Sequence, residues 1–251
     1  MIKIIILSII QGLTEFLPIS SSGHLALLEN FMGIEEPVSI TAFLHFGTFL
    51  ATIIFFRKQI FEILAGLFKK EPRALNYILY IVIGNIPIVL FALLFRNSIE
   101  STFTDIKLVI LFLGLTGVFV LLTSIIRNGE KQISFISAII VGIGQMFAVF
   151  PGLSRSGLTI STGLYANVKP DEAFRFSFLL SLPAVFGANL LEFKEIASFP
   201  NPAELIVGML ISFVSGYIAL RILRALVQKW LYLFGFYCLL ISIIFLLFLG
   251  I

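Results

Sequence analysis

The sequence predicts an all-α polytopic membrane protein built from two inverted repeats, each a re-entrant helix hairpin followed by three transmembrane helices. Three observations lead there. Of 251 residues, 59% are hydrophobic and only 12% charged, outside the range of a water-soluble domain. Mean hydropathy is +1.09 and there are 28 phenylalanines, so most segments need lipid as their solvent. The apolar runs also fall into two kinds, six long and two broken, that recur in the same order in each half of the chain. The net charge of +3 and a pI near 9.0 are too slight and scattered for a nucleic-acid partner. A single cysteine, Cys238, permits neither an intrachain disulfide nor a thiolate metal cluster. Residues 4–10 run straight into Gln11 and Glu15 without a small-residue cleavage site, so the start reads as mature protein rather than a cleaved signal.

Taken in order, residues 1–31 form the first broken region. Residues 1–16 would rise about 24 Å and 24–31 only about 12 Å, so the second leg is too short to cross. Pro18 removes a backbone donor and biases Leu17 away from helix, which predicts a hairpin turning over 18–23. Crossings follow at 40–56, closed by Arg57 and Lys58, at 75–95, closed by Arg96, and at 108–126, closed by Arg127. Residues 134–165 repeat the hairpin, with its turn over 150–157. Crossings then recur at 172–191, 204–223 and 230–250, the first two separated by Pro200 and Pro202.

The chain is thus one integral membrane domain, 1–251, with repeat one at about 1–127 and repeat two at about 133–251. Gln11 and Gln145 precede Pro18 and Pro151, which precede the small polar clusters 20–23 and 154–157. A hairpin returns to its own side and three crossings do not, so the second copy starts on the opposite face. Inverted pairs with broken helices in matching places characteristically bind their ligand at the midplane interface. Of the 17 bases, twelve fall on one side of this topology and four on the other, with Arg155 at a hairpin tip. The positive-inside rule puts the twelve in the cytoplasm. Both termini are then expected outside a multi-pass protein of the inner (plasma) membrane, with its site open to the outer, periplasmic or extracellular, face.

Burying an ionisable side chain at the bilayer centre costs about 2.5–3.5 kcal/mol, which makes Glu15, His24 and Arg155 candidates for function. Gln11 and Glu15, four apart on a helix, share a face. The helices expected to begin near Gly23 and near Gly157 aim free amides at the two turns, a setting for an anion. Arg155 adds a fork of donors suited to phosphate oxygens, and Ser154, Ser156 and Thr159 add hydroxyls. Glu15 can hold a hard divalent cation, His24 can exchange protons near neutrality, and one of the serines can serve as nucleophile. A purely structural alternative pairs Glu15 with Arg155 to join the halves, leaving the serines to cap a helix. His45 reads as packing or a supporting hydrogen bond, and Glu172 with Arg175 as cytoplasmic anchoring.

Residues 11–24, Gln-Gly-Leu-Thr-Glu-Phe-Leu-Pro-Ile-Ser-Ser-Ser-Gly-His, and 151–159, Pro-Gly-Leu-Ser-Arg-Ser-Gly-Leu-Thr, resemble the undecaprenyl-diphosphate phosphatase family associated with bacitracin resistance. Stretches 44–48, Leu-His-Phe-Gly-Thr, and 176–180, Phe-Ser-Phe-Leu-Leu, support the resemblance, which spans the whole chain. It implies interlocked inverted repeats and a hydrolase that removes the terminal phosphate of undecaprenyl diphosphate. The product is the monophosphate carrier for peptidoglycan and other envelope polymers, and activity depends on a divalent cation, Mg²⁺ or Ca²⁺. The resemblance further implies Glu15, Ser21, His24 and Arg155 as catalytic residues, with Ser21 the nucleophile. The expected substrate-binding set is Gln11, Ser20, Ser22, Gly152, Ser154, Ser156, Gly157 and Thr159. Many members carry glutamate at the position of Gln11, so Glu15 is the principal metal ligand here and Gln11 the second. A metal-bound water is the alternative nucleophile, and a transporter or flippase of a phosphorylated polyprenyl lipid or anion is the rival function. The expected partners are a polyprenyl diphosphate lipid and the membrane; a homodimer is left open.

Overall fold

In a computed structural model, described here for residues 2–32, 38–126, 129–196 and 202–250, helices account for every named element. They are α1 (Ile2–Phe16), α2 (Ser21–Met32), α3 (Val38–Phe55), α4 (Arg57–Phe68), α5 (Pro72–Leu94), α6 (Arg96–Phe103), α7 (Ile106–Leu121), α8 (Phe135–Phe147), α9 (Arg155–Tyr165), α10 (Pro170–Ile196), α11 (Pro202–Leu226) and α12 (Tyr232–Phe248). A 3-10 turn, Leu122–Ile125, prolongs α7. Four spans are long and apolar enough to cross a bilayer, Pro72–Leu94, Ile106–Ile125, Pro170–Leu190 and Ala203–Leu226, and Phe43–Phe55, Phe135–Phe147 and Tyr232–Phe248 are shorter apolar helices. The chain is an integral membrane protein.

Local chemistry sets the boundaries. Proline opens α5, α10 and α11, where its missing N–H is harmless and its fixed φ suits the first turn. Asp105 caps α7 by accepting from the amides of Lys107 and Leu108 at 3.0 and 3.4 Å. Ser134 and Ser137 form a capping box that starts α8. Two helices lie outside the expected crossings. α4, at 12 residues, rises only about 18 Å, and it exposes Phe61 and Phe68 alongside Lys58 and Glu62. That is the character of a helix lying in the membrane interface. α6 is likewise a short polar connection of 8 residues.

The packing is reciprocal between the halves. α1 lies along α11 and α8 along α5, so the first leg of each hairpin embraces the second expected crossing of the other half, while α3 packs on α10 and α7 on α12. Because lipid tails are as apolar as leucine, helices associate where small residues let backbones approach. A Cβ on Gly142 would lie 2.5 Å from the Gly84 carbonyl oxygen, and one on Gly117 would lie 2.9 Å from that of Gly235. Ile206, Leu210, Val214, Ile218 and Ile222 form an exposed stripe on α11, spaced by four, which lipid solvates. Gly142→Val should therefore pry α8 from α5 and lower the melting temperature of the detergent-solubilised protein by several degrees, at about 1–3 kcal/mol for overpacking. An unchanged melting curve would mean that the contact is slack.

Inside, Phe16, Phe56, Phe174, Phe176 and Phe178 belong to one buried cluster drawn from α1, α10 and the junction of α3 with α4. The rings of Phe16 and Phe178 are 5.6 Å apart, and this pair floors the region where the hairpins meet.

Candidate active site

Each hairpin turn is built by the same device. Ser20 accepts a hydrogen bond at Oγ from the Gly23 amide at 3.2 Å, and Ser154 accepts one from the Gly157 amide at 3.1 Å. In each, the capping serine also approaches the next serine but one, Ser20 Oγ to Ser22 Oγ and Ser154 Oγ to Ser156 Oγ, at 3.3 Å. A capped helix starts immediately after its cap. This corrects the expected starts near Gly23 and Gly157: α2 begins at Ser21 and α9 at Arg155. The turns are shorter than the sequence implied, and Ser21 and Arg155 occupy equivalent first positions of their helices.

The two turns touch. A Cβ on Gly23 would lie 3.1 Å from the Gly152 Cα, and Ser156 donates to the Leu17 carbonyl at 3.3 Å. Gly152 has φ +93°, which an L side chain rarely adopts. Thr116 of α7 holds that backbone: its hydroxyl donates to the Gly152 carbonyl at 2.9 Å and accepts from the Ser154 amide at 3.0 Å.

At this junction one carboxylate collects the chemistry. Arg155 Nη2 donates to Glu15 Oε1 at 2.5 Å, a buried ion pair that joins the hairpins. Ser21 Oγ donates to Glu15 Oε2 at 2.6 Å, and Gln11 Nε2 donates to the same oxygen at 3.1 Å. His45 Nε2 stands 3.7 Å from Oε2. The Arg155 guanidinium also lies over the Phe178 ring, 5.9 Å from its centroid, which orients it and shields it from lipid. Among the buried polar atoms without hydrogen-bond partners in the described residues, two lie at this junction: Arg155 Nη1, a donor, and Gln11 Oε1, an acceptor. A free donor calls for an anion and a free acceptor beside a carboxylate calls for a cation.

Not every expected residue faces this point. Thr159 is buried, donating to the Arg155 carbonyl at 2.7 Å and meeting Ser177 Oγ at 2.6 Å, so it braces α9 against α10. His24 lies beside the turn with both nitrogens engaged, Nδ1 with the Ser20 carbonyl at 2.9 Å and Nε2 with the Tyr237 hydroxyl at 2.8 Å, its ring stacked on that of Tyr237. The proton acceptor in contact with Ser21 is Glu15. Glu172 and Arg175 pair with each other at the start of α10. They border two cavities of about 560 and 730 Å³ that include none of the hairpin residues, whereas only about 10 Å³ is open beside Glu15 and Arg155, between Thr48, Thr52 and Ser181. Cavity size therefore does not locate this site; the meeting of both turns on the Glu15 carboxylate does.

Sequence reasoning missed Thr116 and Tyr237, whose contacts with the turns cross long stretches of chain and leave no local pattern, and gave Phe178 no role although it lies in the stretch 176–180 that supports the resemblance. His45, which the sequence assigns to packing or a supporting hydrogen bond, instead stands beside Glu15, and it lies in the stretch 44–48 that carries part of the family resemblance. The residues present fit a hard divalent cation: Glu15 offers a carboxylate and Gln11 an unpaired carbonyl oxygen. Among the described residues no three His, Cys, Asp or Glu side chains gather, so phosphate oxygens and water would complete its shell.

Comparison with known proteins agrees with this geometry. Residues 4–244 match the family described as bacitracin resistance protein BacA. An undecaprenyl-diphosphatase of Methanococcus maripaludis is 42% identical over 249 residues, covering 98% of this chain and 99% of the relative. One from Thermosipho africanus is 42% identical over 244 residues, covering 96% and 97%. A third, from Methanosphaera stadtmanae, is 38% identical over 261 residues, covering 96% and 95%. With near-complete coverage on both sides, the chain belongs to the bacitracin resistance protein BacA family.

Proposed function

We propose that this chain is an undecaprenyl-diphosphate phosphatase, a hydrolase that cleaves the lipid diphosphate to undecaprenyl phosphate and inorganic phosphate and so recycles the carrier for cell-wall synthesis. The contact that carries the reading is Ser21 Oγ donating to Glu15 Oε2 at 2.6 Å, a hydroxyl against a base, with the Arg155 fork on the other oxygen of the same carboxylate. Names of relatives over nearly the whole chain support it.

In the reaction the diphosphate displaces the Arg155–Glu15 contact and takes both guanidinium nitrogens, Nη1 having no protein partner to give up. Backbone amides in the first turns of α2 and α9 precede any intrahelical hydrogen bond and add donors, held in place by Ser20, Ser22, Ser154, Ser156 and the glycines Gly23, Gly152 and Gly157. Released from Arg155, Glu15 becomes a better base and takes the Ser21 proton as Oγ attacks the terminal phosphorus. The P–O bond to the lipid phosphate breaks, and the monophosphate leaves as an anion without needing a proton. Water then cleaves the phosphoserine: Glu15 returns the proton it holds to the departing Ser21 Oγ, and the proton of the attacking water stays on the released inorganic phosphate or leaves through His24, so that Ser21 and the Glu15 carboxylate are both restored. A divalent cation bound at Glu15 and Gln11 would supply charge neutralisation for the transferring phosphoryl group. Thr159 keeps α9, and with it Arg155, in register.

The same reading divides the protein into two inverted repeats, about 1–127 and 133–251, and opens the site to the outer face of the plasma membrane with both termini outside. Reciprocal packing of each hairpin on the other half supports the repeats. A cysteine appended at either end should react with a membrane-impermeant maleimide on intact cells; labelling only after permeabilisation overturns the orientation.

Purified protein in detergent should release phosphate from a polyprenyl diphosphate, and Ser21→Ala should lower that rate by about 10³-fold or more. Acid quenching during turnover should trap phosphate on Ser21. Release without a phosphoserine would reassign the attack to water, and no release at all would favour a transporter.

A further inference from the structure

Resting on the phosphatase reading of this site, we propose that His45 of α3 is a nitrogen ligand of the site's cation, completing a set with Glu15 and Gln11. By composition and spacing His45 is a lone imidazole in an apolar crossing. Its two nitrogens have distinct surroundings. Nδ1 lies 2.9 Å from the Thr41 carbonyl, which cannot donate, so Nδ1 carries a hydrogen and Nε2 is the nitrogen left to bind a metal. That nitrogen faces Glu15 Oε2 at 3.7 Å. The separation is longer than the roughly 2.7–2.9 Å of a charge-assisted hydrogen bond, yet shorter than two metal–ligand bonds of about 2.1 Å placed end to end. One small divalent ion can touch both atoms.

Two further features agree. A ring N–H fixed on a backbone carbonyl is the usual support of a metal-ligating histidine, setting both tautomer and ring plane. The buried, unpaired Gln11 Oε1 belongs to the carboxamide whose Nε2 binds Glu15 Oε2. Rotating that amide by half a turn exchanges nitrogen for oxygen, which a carboxylate tolerates only with a cation between them. An imidazole in the set also changes the class of ion. Ca²⁺ and Mg²⁺ bind oxygen almost exclusively, whereas imidazole suits the later first-row ions such as Fe²⁺, Ni²⁺ and Zn²⁺, with Mn²⁺, at the start of that series, accepting a mixed oxygen and nitrogen set. The site should therefore prefer Mn²⁺ to Ca²⁺.

Pulsed electron paramagnetic resonance of Mn²⁺ bound to the full-length protein in detergent, with inorganic pyrophosphate added to fill the shell, tests the assignment. Protein labelled with ¹⁵N in histidine should show a ¹⁵N coupling to the Mn²⁺; the chain has 2 histidines, so His24→Ala should keep that coupling and His45→Ala should abolish it. Mn²⁺ affinity should fall about 10–100-fold in His45→Ala. Absence of Mn²⁺ binding, absence of the coupling in unsubstituted protein, or its persistence in His45→Ala overturns the proposal. Phosphate release, measured separately, keeps the two readings distinct. Turnover without histidine coupling sinks only the His45 assignment; histidine coupling without turnover sinks the phosphatase reading and leaves the metal site standing.

Discussion

Arg155→Lys should lower phosphate release by about 10²–10³-fold while leaving the melting temperature nearly unchanged. Lysine keeps a positive charge for Glu15, so the ion pair between the hairpins survives. What it lacks is the second, unpaired nitrogen, Nη1, and the planar fork that grips two phosphate oxygens at once. Arg155→Met makes the complementary case. It leaves the Glu15 carboxylate buried with no cationic partner, which should destabilise the detergent-solubilised protein by about 3–5 kcal/mol. Pairing it with Glu15→Gln removes the stranded charge and should restore much of that stability without restoring activity, since neighbouring sites in one network do not add. Full turnover in Arg155→Lys would show that charge alone suffices and that the fork does not hold the substrate.

Gly152→Ala should damage stability and activity together. With φ at +93° the added Cβ costs about 1–2 kcal/mol in backbone strain. It would also lie 2.3 Å from the Val109 carbonyl oxygen and 2.9 Å from the Phe112 Cβ, so α7 must shift. Strain and overpacking together should cost about 2–5 kcal/mol, read as a lower melting temperature. Activity suffers for a connected reason. Thr116 ties the Gly152 carbonyl to the Ser154 amide, and Arg155 follows Ser154 directly, so a shift at Gly152 moves the guanidinium. Gly187→Ala is the control: a Cβ there meets nothing within 4 Å, and both quantities should hold. Equal behaviour of the two variants would mean that the turn is more pliable than its geometry implies.

Much of this protein is written in local pattern. Hydropathy and run length give the class and four of the six expected crossings, because lipid requires unbroken apolar helix, while the described helices at the other two, Phe43–Phe55 and Tyr232–Phe248, are shorter. The hairpins are legible because Pro18 and Pro151 are each followed by small polar residues that cap a new helix, whereas Pro87 and Pro183, set in apolar sequence, lie inside α5 and α10. The polar residues around them, from Gln11 and Glu15 to Arg155, stand out against an apolar background. Short amphipathic connections such as α4 escape, because their apolar face seeks the interface and breaks the run-length test.

Only the tertiary structure decides what those residues do to one another. That Ser21 and Arg155 meet on one carboxylate depends on two turns, about 130 residues apart in the chain, touching at Gly23 and Gly152. Whether Glu15 or His24 adjoins the hydroxyl turns on where a serine cap starts a helix, and a displacement of one residue rotates each side chain by about 100°. Tyr237 reaches His24 across 213 residues and Thr116 reaches Gly152 across 36. Such pairings follow from how helices pack through small residues, a property of two surfaces at once that neither segment carries alone.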